Sequence, residues 1–259
     1  LGEVDALAAG EQHACALLDG GVMCGGANSA GQCGDGTTSV STAGPVTVLL
    51  PARAASLYAG LNNSCAITTT GEIYCWGESS AGQLGADLDG GVCMADGSAC
   101  PRPQRVAGIT AARQVATGGN DPLLAGACAV TQMGQLQCWG SGPALGYGAS
   151  ITRQEVPGAA IDLGGATVRQ VARGASHTCV LEDSGRVRCW GSREHGHLGD
   201  GIDDMSATSS PGASAVIGLG VGSGVTQIEA RSDHTCVVRD GSEIRCWGRN
   251  DTGQLGDGT

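Results

Sequence analysis

The chain has no phenylalanine and no lysine among its 259 residues, and aromatic residues of all kinds make up only 3%. Leu, Ile and Val together supply about 18% of the chain, a level at which a strongly charged sequence ordinarily fails to bury a core. The formal net charge is -11, and all 14 basic residues are Arg. Without lysine there is no Schiff base, no P-loop lysine and no lysine nucleophile. Nor is there any run of basic residues, so the clustered cations that recruit phosphate backbones are missing and nucleic acid is excluded as a partner. Anionic membrane surfaces are disfavoured for the same reason. No apolar stretch reaches the ~18 residues that a membrane span requires. The chain opens at Leu1 with neither Met nor a leader peptide, which reads as a processed chain.

What it has in abundance is glycine, 46 residues, and cysteine, 13 residues. The cysteines argue for order, because they are regularly placed. Cys-Trp-Gly occurs four times, ending at Gly77, Gly140, Gly191 and Gly248, and a degraded copy, Cys24-Gly25-Gly26, precedes them. A second cysteine lies ahead of each: Cys15, Cys65, Cys128, Cys179 and Cys236. After the tryptophan comes a glycine-rich tag, read as GQCGDG at 31–36, GQLGAD at 82–87, GHLGDG at 196–201 and GQLGDG at 253–258. Five copies give units of about fifty residues, the mark of a repeat architecture. We divide the chain, as a single domain over 1–259, into repeats of approximately 1–44, 45–102, 103–155, 156–210 and 211–259.

Each unit reads as short strands. In 169–191 an apolar run around Val171 leads to His177–Leu181, a turn at Asp183-Ser184-Gly185, and Val187–Trp190. Period-2 patterning interrupted by turn residues predicts a hairpin. In the first copy the turn is Asp19-Gly20, the two-residue type I′ signal, which accounts for its cysteines being one residue closer together. Equal spacing from the turn sets Cys65 opposite Cys75 and Ile67 opposite Ile73, within disulfide reach on adjacent antiparallel strands. A further strand is expected in each linker, most clearly at Val46–Leu50, Gln104–Val106 and Ala215–Leu219. Four-stranded sheets repeating every forty to fifty residues predict an all-β propeller with antiparallel blades. The recurring Trp76, Trp139, Trp190 and Trp247 then supply the large contacts between blades.

The segments GASHTCVLEDSGRVRCWGSREHGHLGDG (174–201) and ARSDHTCVVRDGSEIRCWGRNDTGQLGDG (230–258) resemble the regulator-of-chromosome-condensation repeat nearly throughout. Motif-bearing parts cover roughly two thirds of the chain. The resemblance implies a β-propeller, typically of seven blades, of which five repeats are visible here. The paired cysteines depart from the eukaryotic pattern and resemble secreted bacterial members. The third unit departs most, with an insertion at 118–128 and SGPALGYG (141–148) where the tag belongs.

The hairpin register pairs Cys15 with Cys24, Cys65 with Cys75, Cys128 with Cys138, Cys179 with Cys189 and Cys236 with Cys246. Cys93 and Cys100, within one insertion, form a sixth pair. Zinc knuckles need C-x-x-C spacing, which is absent. Disulfides place the chain in an oxidising compartment: secreted, extracellular or at the cell surface. Cys33 is left over in the slot held elsewhere by Leu84, Leu198 or Leu255, as a small buried hydrophobe or as the half of an intermolecular bridge.

Three groups are candidate sites. His13, His177 and His234 recur at one repeat position, which marks structural hydrogen bonding rather than catalysis. In Glu194-His195-Gly196-His197, alternate strand residues would aim His195 and His197 at one zinc or copper ion; a polar edge loop is the competing reading. Asp87, Asp89 and Asp96, and separately Asp200, Asp203 and Asp204, offer oxygens for calcium, though neither loop matches the EF-hand pattern. No nucleophile elbow, Walker loop or dinucleotide fingerprint occurs, so no catalytic residue and no firm cofactor is assigned.

The expected function is therefore a secreted or surface, non-enzymatic propeller for protein binding, scaffolding or assembly, with recognition in the variable loops at 86–104, 118–127 and 201–215. The alternative is a secreted inhibitor resembling the propellers that block β-lactamases, which would need exposed aromatic anchors; only Tyr58, Tyr74 and Tyr147 are available besides the repeat tryptophans. Guanine-nucleotide exchange, the work of the founding family member, does not suit disulfide-clipped blades. Five units come with four linker strands, so one blade is expected to be short by a strand. On that ground the chain is expected either to be part of a longer polypeptide or to self-associate through open blade ends.

Overall fold

The computed structural model describes residues 3–86, 93–94, 96–119, 123–208 and 214–259. These form five antiparallel sheets in chain order. The first blade holds β1 (Ala6–Ala9), β2 (His13–Leu18), β3 (Gly21–Gly26) and β4 (Val46–Thr47). The second holds β5 (Ala54–Ala59), β6 (Asn63–Thr68), β7 (Ile73–Glu78) and β8 (Ala99–Arg105). The third holds β9 (Ala112–Gly118), β10 (Gly126–Thr131), β11 (Leu136–Ser141) and β12 (Arg153–Gln154), and the fourth β13 (Val168–Arg173), β14 (His177–Glu182), β15 (Val187–Ser192) and β16 (Ala207–Thr208). The fifth has three strands among the described residues, β17 (Val225–Arg231), β18 (His234–Arg239) and β19 (Glu243–Gly248). No helix among the described residues is long and apolar enough to cross a membrane.

Hairpin register follows the turns. Asp19 and Gly20 both take positive φ, 46° and 76°, the type I′ geometry that matches strand twist. Cys15 faces Cys24, and Cys65, Cys128, Cys179 and Cys236 face Cys75, Cys138, Cys189 and Cys246. All five pairs are bonded, with Cα atoms 4.0–4.1 Å apart, as is Cys93 to Cys100. Six disulfides are consistent with an oxidising compartment.

The outer strands depart from the sequence expectation. The fourth strand of the fourth blade is Ala207–Thr208, paired with Gly191 and Ser192. The apolar run Ala215–Leu219 instead makes one isolated bridge, Ala215 to Arg188, and buries Val216 and Leu219 between blades. Two-residue pairings such as β4, β12 and β16 are too short to leave a periodic signature. The expected strand at Gln104–Val106 is the end of a longer one, β8.

The core is a stack of layers between successive sheets. In each of the four layers the earlier blade presents its cystine and the later blade its tryptophan. Cys179, Leu181, Val187 and Cys189 of the fourth blade pack with Ile228, Val237 and Trp247 of the fifth. Cys128, Val130, Leu136 and Cys138 of the third pack with Val171, Val180 and Trp190 of the fourth. Disulfides and indoles thus occupy the volume that Leu and Phe fill elsewhere, and Trp76, Trp139 and Trp190 are each 0% exposed. At the two ends of the series the same positions are uncovered. Ile244 is 71% exposed and Leu7 is 75% exposed, whereas their counterparts Val187 and Val171 are buried.

Candidate functional site

Every joint between blades is built around one backbone carbonyl in the tag loop. Trp76 Nε1 donates to Gln32 O at 2.9 Å, Trp139 to Gln83 O at 2.9 Å, Trp190 to Ala144 O at 2.9 Å and Trp247 to His197 O at 3.0 Å. The tag glycine two residues past that carbonyl cannot carry a side chain. A Cβ on Gly34, Gly85 or Gly146 would lie 2.6–2.8 Å from the indole nitrogen it serves.

A hydroxyl and a histidine complete the first and the last of these four joints. Ser64 Oγ donates to Gln32 O (3.1 Å) and lies 2.8 Å from His13 Nε2. The single hydroxyl proton goes to the carbonyl, so His13 must donate from Nε2. Burial, reinforced by the Arg231 charge, lowers the His13 pKa to about 4 and keeps the ring neutral. His177 Nε2 meets Thr235 Oγ1 at 2.7 Å in the same way, and burial lowers its pKa to about 3. Where the third blade carries Gly126 instead of histidine, Arg173 fills the space. It is buried, and its Nη1 and Nη2 reach the carbonyls of Ala144 and Leu124 at 3.4 and 3.0 Å. Desolvation lowers its pKa to about 10, so it stays charged at neutral pH. Nothing in the sequence marked this arginine apart from the other 13.

The inner strands surround a hub cavity of about 380 Å³, lined in part by Leu7, Tyr58, Gln114, Glu229 and Arg231. Its polar groups are largely engaged. Gln114 exchanges both amide hydrogen bonds with Val171 of the next blade, and Gln170 accepts from Ile228 N. Arg231 donates to Ala9 O and Gly10 O at 2.9 and 3.3 Å, across from the last inner strand to the first. Burial raises the Glu229 pKa.

A second groove, of about 390 Å³, is lined by Ser176, Glu194, His195, His197, Asp233 and Arg249. The expected strand geometry for His195 and His197 is corrected here. Glu194–Gly196 is a 3₁₀ turn with His195 at φ 56°, so the two imidazoles do not share a strand face. Their rings are 5.9 Å apart and tilted, and His197 stacks on His177 at 5.0 Å. Ser176 Oγ lies 3.4 Å from His197 Nδ1 and Asp233 Oδ1 3.9 Å from His197 Nε2. That is a serine, histidine and aspartate in sequence, but with both links longer than a triad uses. Burial lowers the His197 pKa despite the nearby Asp233, which works against a general base.

Of the calcium candidates, Asp87 and Asp89 lie outside the described residues. Asp96 accepts from Ser98 N and Oγ, and Asp204 from Ser206 N and Oγ. Asp200 is paired with Arg193 at 3.0 Å and Ser214 at 2.9 Å; Asp203 joins none of these. Among the described residues no group of three or more His, Cys, Asp or Glu side chains is arranged to hold a metal ion. Cys33 is buried and free, in the leucine slot of its tag. Tyr147, one of three tyrosines considered as anchors, is spent internally: its hydroxyl accepts from Cys138 N and donates to Cys138 O, both at 3.0 Å.

The repeat signature described as the regulator of chromosome condensation (RCC1) repeat matches residues 54–83, 70–120, 168–196 and 225–254. The chain belongs to the RCC1-repeat family. The human E3 ubiquitin-protein ligase HERC2 is 30% identical over 260 residues, 98% of this chain but 5% of HERC2. Human WBSCR16 superposes with a TM-score of 0.74 at 22% identity, over 92% of this chain and 58% of its own. Prp20p from Saccharomyces cerevisiae, described with its binding properties to Gsp1p and histones, superposes with a TM-score of 0.73 at 21% identity, over 96% of this chain and 58% of its own. The RCC1-repeat chain described here thus spans less than two thirds of each of these relatives, and the structural likenesses establish the β-propeller fold.

Proposed function

We propose that this RCC1-repeat chain is a non-enzymatic protein-binding module, secreted or held at a cell surface, and that its partner presents a cationic face. The observation that carries this reading is the commitment of the repeat's chemistry to the fold. The joint histidines, hydroxyls and indoles and the hub glutamines hold blades to one another, and the hairpin cystines clip adjacent strands within each blade. What is left for recognition is the rim, where loops vary from unit to unit.

Charge supports the nature of the partner. Against a net charge of -11, the arginines are widely consumed. Arg53, Arg105, Arg153, Arg188, Arg193, Arg239 and Arg249 are in ion pairs, and Arg173 is buried. The unpaired surplus is carboxylate, and such a field steers cationic surfaces toward it. Prp20p is described as binding Gsp1p and histones, so a fold of this kind is compatible with protein ligands. Scaffolding or assembly is the natural use of such a module.

Affinity capture on the immobilised chain from its native extracellular fluid, followed by titration with the purified captured protein, tests this. Saturable binding that weakens as salt rises is expected. Salt-insensitive binding would remove the cationic-face argument. Turnover of a small molecule by the chain would overturn the non-enzymatic reading.

A further inference from the structure

We propose that the groove beside His197 is a lysine pocket, which seats the side-chain ammonium of a partner protein's lysine between His197 Nε2 and the Asp233 carboxylate. This rests on the reading of the chain as a binder of cationic protein faces, and it names the residue that such a face presents.

His197 is the odd member of its tag position. The glutamines that hold this position elsewhere fold back on their own loops. Gln32, Gln83 and Gln254 accept from the backbone N–H of Ala30, Ala81 and Thr252 at 3.0, 2.8 and 2.9 Å. His197 keeps the backbone role, its carbonyl accepting from Trp247, but sends its ring to the groove wall, stacked on His177. The residue is only 2% exposed, and its Nε2 has no hydrogen-bond partner among the described residues. A buried polar atom left unpaired is costly, so it marks a place that a ligand can complete.

The surroundings select a donor with positive charge. Nδ1 faces Ser176 Oγ at 3.4 Å, and a proton held there leaves Nε2 as a bare acceptor. Asp233 Oδ1 stands 3.9 Å from Nε2, too far for a bond between them and close enough for one donor nitrogen to reach both. Burial keeps the imidazole neutral, although Asp233, Glu194 and Asp203 favour its protonation; His195 opposes it. Arg249 does not satisfy these carboxylates either, because it is divided between Asp233 Oδ2 at 3.4 Å and Asp251 at 2.5 Å. Among the described residues no three metal-ligating side chains are arranged to hold an ion, so the cation is an organic one.

Ammonium fits better than guanidinium. A guanidinium fork pairs with both oxygens of one carboxylate, and Asp233 has only Oδ1 to offer. A compact ammonium with three donors can serve Nε2 and Oδ1 singly. Leu124 and Pro143 of the third blade also line the groove and give a lysine's methylene stem apolar surface.

The probe is Nα-acetyl-lysine amide, with Nα-acetyl-arginine amide and Nα,Nε-diacetyl-lysine amide as comparators. Proton–nitrogen correlation spectra of the histidine rings give the tautomer, and amide shifts of Ser176 and Asp233 follow binding. His197 Nε2 is expected to be unprotonated before addition; a protonated Nε2 would overturn the proposal. The lysine amide should bind saturably, the arginine amide about fivefold or more weakly, and the diacetyl compound not at all. Asp233→Asn should weaken lysine binding about fivefold or more. His197→Gln should abolish it and still fold, because glutamine is what the other tags carry. Equal binding of the lysine and diacetyl compounds, or unchanged binding by His197→Gln, would overturn the assignment. The captured partner separates this pocket from the wider reading. Salt-sensitive capture of equal strength by the unmodified chain and His197→Gln would sink the pocket and leave the cationic-face reading standing. Selective lysine binding beside salt-insensitive capture would uphold the pocket and remove that reading.

Discussion

His177 Nε2 lies 2.7 Å from Thr235 Oγ1, across the joint between the fourth and fifth blades; His13 and Ser64 stand in the same relation between the first and second. Both rings are buried and neutral, with pKa values lowered to about 3 and about 4 from 6.5. A histidine whose folded pKa is depressed binds fewer protons folded than unfolded between those values. Stability is therefore complete above pH 6.5 and falls as pH drops toward 4. Urea midpoints should decline across that window, and His13→Asn with His177→Asn should flatten the decline; Asn63 already fills this position in the second blade. An unchanged slope in the double variant would remove the histidines as its cause.

The indole bonds give a second expectation. Trp190 is fully buried and donates to Ala144 O. Trp190→Ala should cost about 3–5 kcal/mol by cavity formation. Trp190→Phe should cost less, because Thr178 Oγ1 still donates to that carbonyl at 2.8 Å. Denaturant titration of the two variants checks the order.

A glycine pair separates backbone strain from crowding. Gly34 and Gly256 share nearly the same positive φ, so alanine strains both alike. Only at Gly34 does the new methyl collide with a tryptophan. Gly34→Ala should be the more destabilising by about 1–3 kcal/mol, the range of core overpacking. Equal losses would mean that the indole seat yields.

The cystines are predicted to matter singly. Replacing Cys179 and Cys189 together by alanine should cost about 2–3 kcal/mol from the short loop they close. Cys33 is buried and its pKa is raised, chiefly by desolvation and then by Asp35. Alkylation of the native protein should leave it untouched until denaturant is added, whereas prompt labelling would place the thiol at the surface.

The legible part of the fold was whatever recurs in side chains. Cysteine spacing set the register, Asp19-Gly20 set the first turn, and the tryptophans marked the joints. Interactions that end on backbone atoms left no trace. Gln32 O and Ala144 O each organise a joint, yet neither residue's identity matters to that role, as the substitution of Ala144 for glutamine in the third tag demonstrates. Arg173 was invisible because its value lies in a gap made by Gly126, some forty-seven residues away in sequence. The turn at Glu194–Gly196 reads as strand in the sequence because two alternating histidines imitate period-2 patterning.

The joint also has a direction in time. In the first four blades the tag loop forms within its own unit, but the indole that seals it and the outer strand that closes the sheet come from residues later in the chain. A ribosome delivers those residues last. Each of these four blades therefore leaves the exit tunnel unfinished, holding an exposed cystine face until its successor arrives. Synthesis proceeds as a series of handovers in which one half-built surface at a time is open to solvent.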